Sequence, residues 1–352
     1  MASRREVLGG LASAALPGAA MAAPPTYQIR RLVDRPIISP GMDARMGSNI
    51  EGPSLIRTPD WLPGRMGRYY LYFADHKGDY IRLAYADRLQ GPWKVHSPGS
   101  LQLSQSGLPT TAPSGPPEAV ARLMQPGAPD RAPPGTPGIP TPLEDATLPH
   151  LASPDVHVDE ENRRILMYFH GLGGFNEQFT MVAASSDGLD FRPVTGRIGP
   201  PYMRIFRHGG WVYAQGMPGL FLRSRDGITG WEAGPRLFPA NQRHSALLVR
   251  GDRLHVFWTR VGDAPESLLA STLDISGDWN AWKASDPVLV LQPGRAWEGA
   301  GLPVERSYRS AVSHPVNQLR DPCIYEEGGR VFLLYAVKGE GGIAIAELTV
   351  RD

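Results

Sequence analysis

Hydrophobic positions along this 352-residue chain come in short bursts cut by Gly, Asp and Pro, without the three-to-four spacing of a helix. The bursts recur in a fixed order, five times over. A short motif leads into an aromatic-rich run, then a strand of small residues, and in four passes a polar turn ending in an aromatic. The first pass reads Glu51-Gly-Pro-Ser-Leu-Ile, Tyr69-Tyr-Leu-Tyr-Phe, Ile81-Arg-Leu-Ala-Tyr-Ala and Gly91-Pro-Trp. The second is Ser153-Pro-Asp-Val, Ile165-Leu-Met-Tyr-Phe, Met181-Val-Ala-Ala-Ser and Asp187-Gly-Leu-Asp-Phe. The others centre on Trp211-Val-Tyr, Leu254-His-Val-Phe-Trp and Val331-Phe-Leu-Leu-Tyr. Tyr168 to Tyr213 is 45 positions and Tyr213 to Phe257 is 44, within the roughly 40–50 residues of a propeller blade. The pattern predicts an all-β fold, a five-bladed β-propeller in one domain over residues 27–352. The fifth unit has no closing strand after Gly342-Ile-Ala-Ile-Ala, and the strand-like Tyr27–Leu32 is otherwise unpaired. That segment is expected to supply the missing outer strand and close the ring.

Composition narrows the partners. Lys and Arg number 36 against 35 Asp and Glu, a net charge of +1, so no bulk field favours nucleic acid. Past the N-terminus no apolar run is long enough to span a bilayer. The single cysteine, Cys323, lies in a predicted inner strand and reads as a buried, inert thiol. Residues 1–22 read as an address. Ser3-Arg4-Arg5-Glu6-Val7-Leu8 resembles the twin-arginine export motif, and a small-residue apolar run leads to Ala20-Met21-Ala22, a cleavage site leaving Ala23 first. A periplasmic or secreted monomer is expected; the bland alternative is a disordered tail.

Two stretches interrupt the repeat, residues 97–149 and 284–318, both where one blade gives way to the next inner strand. Insertions of this length are commonly functional or disordered. The first, rich in Pro and Gly, reads as extended coil with little chemistry. The second carries Trp297, Glu298, Arg306, Tyr308 and Arg309, residues suited to sugar contact and to a lid over the central funnel.

Inner strands of a propeller converge on its axis. Three of the five begin with a carboxylate, Glu51, Asp155 and Asp321, read here as equivalent positions on blades one, two and five. Acids brought together push their pKa values apart, which makes an acid and a base from similar groups, as glycoside hydrolysis requires. A lone acid at a strand start more often just caps a turn; three lower the weight of that explanation. Asp321-Pro-Cys-Ile resembles the Asp-Pro-x-Ile phrase holding the catalytic base in glycoside hydrolase family 43. Ser153-Pro-Asp155-Val is similar to that family's phrase for its pKa-modulating aspartate, and Asn49-Ile-Glu51-Gly-Pro-Ser-Leu to the phrase for its general acid. The family runs base, modulator, acid through blades one to three. Here the phrases run acid, modulator, base on blades one, two and five, and blade three offers Arg204, which marks a divergent branch.

The resemblance implies an exported glycosidase, inverting in mechanism, with Asp321 activating water, Glu51 protonating the leaving group and Asp155 tuning Glu51. Substrate contacts are expected from Arg204, Arg243, His244 and Arg320 on inner strands. His76, His170, Arg260 and Lys338, with Gln215 and Glu340, fall at the ends of second strands, and Trp297 lies in the second insertion. His244 is an alternative proton donor in the funnel. The arginines tilt the substrate towards acidic or decorated sugars. The histidines lack the spacing of a zinc site, so neither metal nor cofactor is expected. Besides a protein-interaction scaffold, the blandest option, two other functions are open. One is a non-catalytic carbohydrate-binding propeller. The other is a sialidase-like enzyme, from Ser224-Arg-Asp-Gly-Ile-Thr-Gly-Trp231, which resembles an Asp-box.

Overall fold

The aromatic runs form strands buried on both faces, because each is sandwiched between the sheets on either side. Tyr69–Ala74 is buried at every position, and Arg330–Ala336 at all but its first. A computed structural model describes residues 25–125, 130–133 and 135–351; the expected export segment lies outside the described residues. Its strands form five antiparallel four-stranded sheets arranged as a five-bladed propeller. Blade one comprises Glu51–Arg57, Tyr69–Ala74, Tyr80–Ala86 and Lys94–Gln102. Blade two comprises Leu151–Asp159, Arg164–Gly174, Glu177–Ser185 and Arg192–Pro193. Blade three comprises Arg204–His208, Trp211–Gly216, Leu220–Ser224 and Glu232–Arg236. Blade four comprises Gln242–Arg250, Arg253–Arg260, Leu268–Asp274 and Val288–Leu291. Blade five takes Arg320–Glu327, Arg330–Ala336 and Ile343–Arg351 from the end of the chain and Thr26–Arg31 from its start.

That last strand closes the ring as expected, antiparallel to Ile343–Arg351 with Thr26 opposite Arg351 and Arg31 opposite Ala346. The hydrophobic core is divided among the interfaces between blades. Tyr70, Tyr72, Phe169 and Phe191 fill the space between blades one and two, and Leu71, Phe73, Phe332 and Ile345 that between blades one and five. Area burial of this kind, about 25 cal/mol per Å² of apolar surface, is what holds adjacent sheets together. Among the described residues no helix is long and apolar enough to cross a membrane.

The interruptions are shorter than residues 97–149 and 284–318. Lys94–Gln102 completes blade one through a register shift around Pro98 and Gly99, and Val288–Leu291, four residues long, completes blade four. A broken or very short outer strand has no alternating pattern to betray it. Nor is the first insertion featureless. It holds the helices Pro117–Leu123 and Pro142–Thr147, the second opened by a capping box between Thr141 and Glu144. The two insertions dock on one another: Arg309 Nε donates to Asp130 Oδ2 at 2.6 Å, and Ser310 Oγ to Asp145 Oδ1 at 2.6 Å.

The Asp-box-like turn is structural. Asp226 Oδ1 accepts from the backbone N–H of Ile228 and Thr229, both at 2.8 Å, and Asp187 Oδ1 receives the equivalent bonds from Leu189 and Asp190 in blade two.

Candidate functional site

Each blade enters the axis through a left-handed backbone position. Gly52, Ser153, Tyr202, His244 and Asp321 have φ of 60°, 49°, 60°, 43° and 49°. In blades one, two, four and five this position lies inside a break of register between the inner strand and its neighbour. Such a bulge re-aims the side chains around it, and non-glycine residues held in this conformation are strained, which is typical of functional sites. Aligning the blades on this position corrects the sequence-based equivalence of the three acids. Asp321 stands at the left-handed position, Glu51 one residue before it, and Asp155 two residues after it. The residues two after it (Ser54, Asp155, Arg204, Ala246 and Cys323) all line a cavity of about 220 Å³ together with Tyr325 and Glu326. Ser153, Tyr202 and His244 line a different cavity, of about 360 Å³, with His76, Lys77, Arg131, Asp145, His170, Arg243, Arg309 and others. The inner strands thus present one set of residues to each cavity, five to the smaller and three to the larger.

Glu51 and Asp321 lie just beneath the floor of the larger cavity, 1% and 0% exposed. The charge of Asp321 is close enough to bear on Glu51. Ser153 Oγ donates to Glu51 Oε2 at 2.9 Å, and Tyr202 Oη to Asp321 Oδ1 at 2.7 Å. His244 Nδ1 stands 3.3 Å from the same Asp321 oxygen. Glu51 Oε1 and Asp321 Oδ2 have no hydrogen-bond partner among the described residues. Burial, followed by the neighbouring charges of Asp321 and Glu340, holds the Glu51 carboxyl well above the usual range. Burial and Glu340 raise Asp321 as well, against the pull of the Tyr202 hydrogen bond. A proton resting on Glu51 removes the repulsion between the two charges.

His244 is held neutral. Burial and the guanidinium groups of Arg243 and Arg320 push its pKa well below neutrality. Arg243 Nε donates to its Nε2 at 3.2 Å, which leaves the ring proton on Nδ1, facing Asp321. Below lies a buried ion cluster. Arg320 Nη1 contacts Glu340 Oε1 at 2.7 Å and its Nε lies 3.3 Å from Glu266 Oε2, while Arg243 Nε is 3.6 Å from Glu266 Oε1. Asn49 Nδ2 donates to Glu340 Oε2 at 2.6 Å. Against the cost of burial, His76 and the two arginines hold Glu340 well below the usual carboxylate range. The cluster fixes the floor and keeps a second negative charge near the pair.

Asp155 belongs to the other end. Its Oδ2 accepts from the Ile205 N–H at 2.8 Å and lies 2.8 Å from His157 Nε2, and its Oδ1 is 3.4 Å from Arg204 Nη1. Burial would raise its pKa, but His157 and Arg204 outweigh it and hold Asp155 ionised. The Arg204 guanidinium in turn lies over the Tyr202 ring, 4.5 Å from its centroid. Asp155 therefore reaches the acid pair only through Arg204 and Tyr202, and it reaches Asp321 rather than Glu51.

Of the substrate contacts expected from sequence, His76, His170, Arg243 and His244 line the larger cavity. Arg320 is sealed below it, and Arg204 faces the opposite mouth. Arg260 pairs with Asp263 at 2.9 Å and does not line the cavity; neither does Lys338. Trp297 lines a separate surface cleft with Trp93 and Arg295. Its neighbour Glu298 is buried against Arg31 at 2.7 Å and the Tyr335 hydroxyl at 2.8 Å, an anchor rather than a lid contact. Ser153, Tyr202, Lys77, Arg131 and Asp145 were missed. The positive-φ alignment would have found the first two; the last two sit in the insertion read as coil. Cys323 is buried as expected, its thiol pushed up to about 11 by burial.

No family model matches the chain. It is 35% identical over 327 residues to an uncharacterized protein of Acanthamoeba polyphaga mimivirus, covering 85% of this chain and 83% of that one. The chain belongs to the family of that viral protein. Among solved structures, a family 43 β-xylosidase/α-arabinofuranosidase from a compost microbial metagenome matches with a TM-score of 0.51 at 11% identity, over 92% of this chain and 95% of the other. An endo-1,4-β-xylanase from Bacteroides thetaiotaomicron matches with 0.51 at 10% identity, over 87% and 95%. The fold is therefore the five-bladed propeller found in family 43 glycoside hydrolases.

Proposed function

We propose that this protein hydrolyses a glycan bound in the 360 Å³ cavity, with Glu51 as the proton source and Asp321 as the group that holds it ready. The observation that carries this is the pair itself: two buried carboxyls, their pKa values raised and one under the charge of the other, beneath a polar cavity on a glycosidase fold. Groups whose protonation is shifted by burial and a specific neighbour cluster at catalytic sites. The pair lies on one side of the bound sugar. It protonates the departing oxygen and afterwards takes back the proton of the entering water, so its proton count is unchanged over a turnover. Asp155 acts from a distance, by orienting Arg204 against Tyr202. Lys77, Arg131 and Arg309 in the cavity wall, against Asp145 alone among the lining acids, favour a sugar bearing a carboxylate or sulfate.

One observation favours a second function, carbohydrate binding without turnover: the acids lie under the floor and not in the wall. A hydrolysis screen on neutral and acidic glycans, using the chain from Ala23 beside Asp321→Ala and Glu51→Gln, separates the two. Hydrolysis by the parent that both substitutions abolish, with circular dichroism unchanged, supports the enzyme. Saturable binding without turnover, surviving both substitutions, contradicts it. Export through the twin-arginine route is part of the same proposal. Replacing Arg4 and Arg5 by Lys should leave the protein in the cytoplasm on cell fractionation.

A further inference from the structure

The acid pair is sealed from the cavity, so a proton leaving Glu51 needs a carrier with one end on the carboxyl and the other in the cavity. Three side chains of the floor touch the pair. Tyr202 and His244 face Asp321. The Tyr202 phenol is held far above its ordinary pKa by burial and by the Asp321 charge, and the His244 ring has Nε2 occupied by Arg243. Ser153 touches Glu51, at 2.9 Å from Oγ to Oε2, and also lines the cavity. Two further features keep it there. Its φ of 49° is strained for a residue with a side chain. Its neighbour Gly52, at φ +60°, abuts it so closely that an added Cβ would lie 2.8 Å from Ser153 Cα and 3.2 Å from its Oγ. Glycine at that position leaves room for the serine hydroxyl beside the carboxyl.

We infer that the Ser153 hydroxyl relays the proton of Glu51 to the oxygen of the departing sugar. The inference rests on the hydrolase function proposed above. A hydroxyl donates and accepts at once, so the relay is a rotation and two short transfers. The Glu51 O–H bond breaks as Ser153 Oγ takes that proton. The serine's own proton passes to the glycosidic oxygen as the bond to the anomeric carbon breaks, and the bonding electrons stay with that oxygen. Serine ends as it began, and Glu51 is left as carboxylate. Water entering at the anomeric carbon returns one proton along the same path reversed. Asp321 keeps its hydrogen bond from Tyr202 throughout. Arg243, Arg320, His76 and Glu340 set the field around the pair without entering the transfer.

The test compares the parent, Ser153→Gly and Ser153→Thr on alkyl and dinitrophenyl glycosides of a sugar that the parent hydrolyses. Glycine suits the left-handed backbone and removes the hydroxyl; threonine restores it. Thermal denaturation checks that each variant folds. An alkyl leaving group needs the proton and a dinitrophenolate does not. Ser153→Gly should therefore lose about 10²- to 10⁴-fold on the alkyl glycoside, the range for general acid catalysis, and keep near-parent rates on the dinitrophenyl one. Ser153→Thr should recover most of the loss. Parent-like rates for Ser153→Gly on alkyl glycosides, or equal losses on both substrates, would overturn the relay alone. A parent inactive on every glycoside would overturn the hydrolase function and the relay together.

Discussion

The two ends of the axial channel are built from the same five strands and carry the same kind of side chain, yet they treat it in opposite ways. At one mouth Asp155 has a histidine, an arginine and a backbone N–H around it and is held ionised. At the other, Glu51 has a hydroxyl and a second carboxyl, and burial holds it neutral. Buried ionised groups persist where they are paired; a buried acid without a cation keeps its proton. The difference between an ion pair and a proton store is thus made by neighbours two or three residues away along the same strands.

The largest effect should come from breaking the buried ion cluster beneath the floor. Arg320→Met removes the nearer of the two arginines shared by Glu266 and Glu340, leaving Arg243 at 3.6 and 3.9 Å. Breaking a buried pair in this way costs about 3–5 kcal/mol, readable by urea denaturation. A change in midpoint below about 1 kcal/mol would mean that the cluster does not hold the floor.

Next come the two acids themselves, whose substitutions should respond to pH in opposite senses. Asp155 is depressed in the folded chain, so its contribution is complete above the ordinary aspartate value of 3.8 and fades as the pH falls through its folded value. Asp155→Asn should then cost about 1.5–3 kcal/mol at neutral pH, the scale of hydrogen bonds to a charged group, and progressively less in acid. Glu51 is raised, so the parent binds its proton more tightly folded than unfolded and loses stability as the pH climbs above 4.5. Glu51→Gln should cost less than about 1 kcal/mol near pH 4 and become the more stable protein as the pH rises. Parallel pH profiles for the two variants would erase the contrast.

Gly52→Ala sharpens the comparison from the backbone side. Its Cβ would strike the Ser153 backbone, and the overpacking should cost about 1–3 kcal/mol. Because Ser153 must shift, activity should fall further than in a variant of equal stability altered at the Asp155 end.

Much of this architecture is legible in the sequence, because propeller strands repeat their pattern of aromatic and small residues. The N-terminal closing strand follows from an unpaired Tyr27–Leu32 and a fifth unit one strand short. Glu51 and Asp321 also stand out, as acids flanking Gly-Pro and Pro at the starts of inner strands. Their true relation does not. A one-residue offset at a bulge changes which end of the channel a side chain faces, and no periodicity records a left-handed residue at Tyr202 or His244. Asp155 was therefore placed with the wrong partners. Asp145 and Arg131 were hidden for another reason: they act through a short capped helix and a turn inside a Pro-rich insertion, where local composition says coil.

The contrast between the channel ends is tested most directly by infrared difference spectroscopy at pH 7, parent minus Glu51→Gln and parent minus Asp155→Asn. The first difference should contain the C=O stretch of a protonated carboxyl, and the second the paired stretches of a carboxylate. Carboxylate bands alone in both differences would contradict a proton stored on Glu51, and with it the catalytic role assigned to the pair.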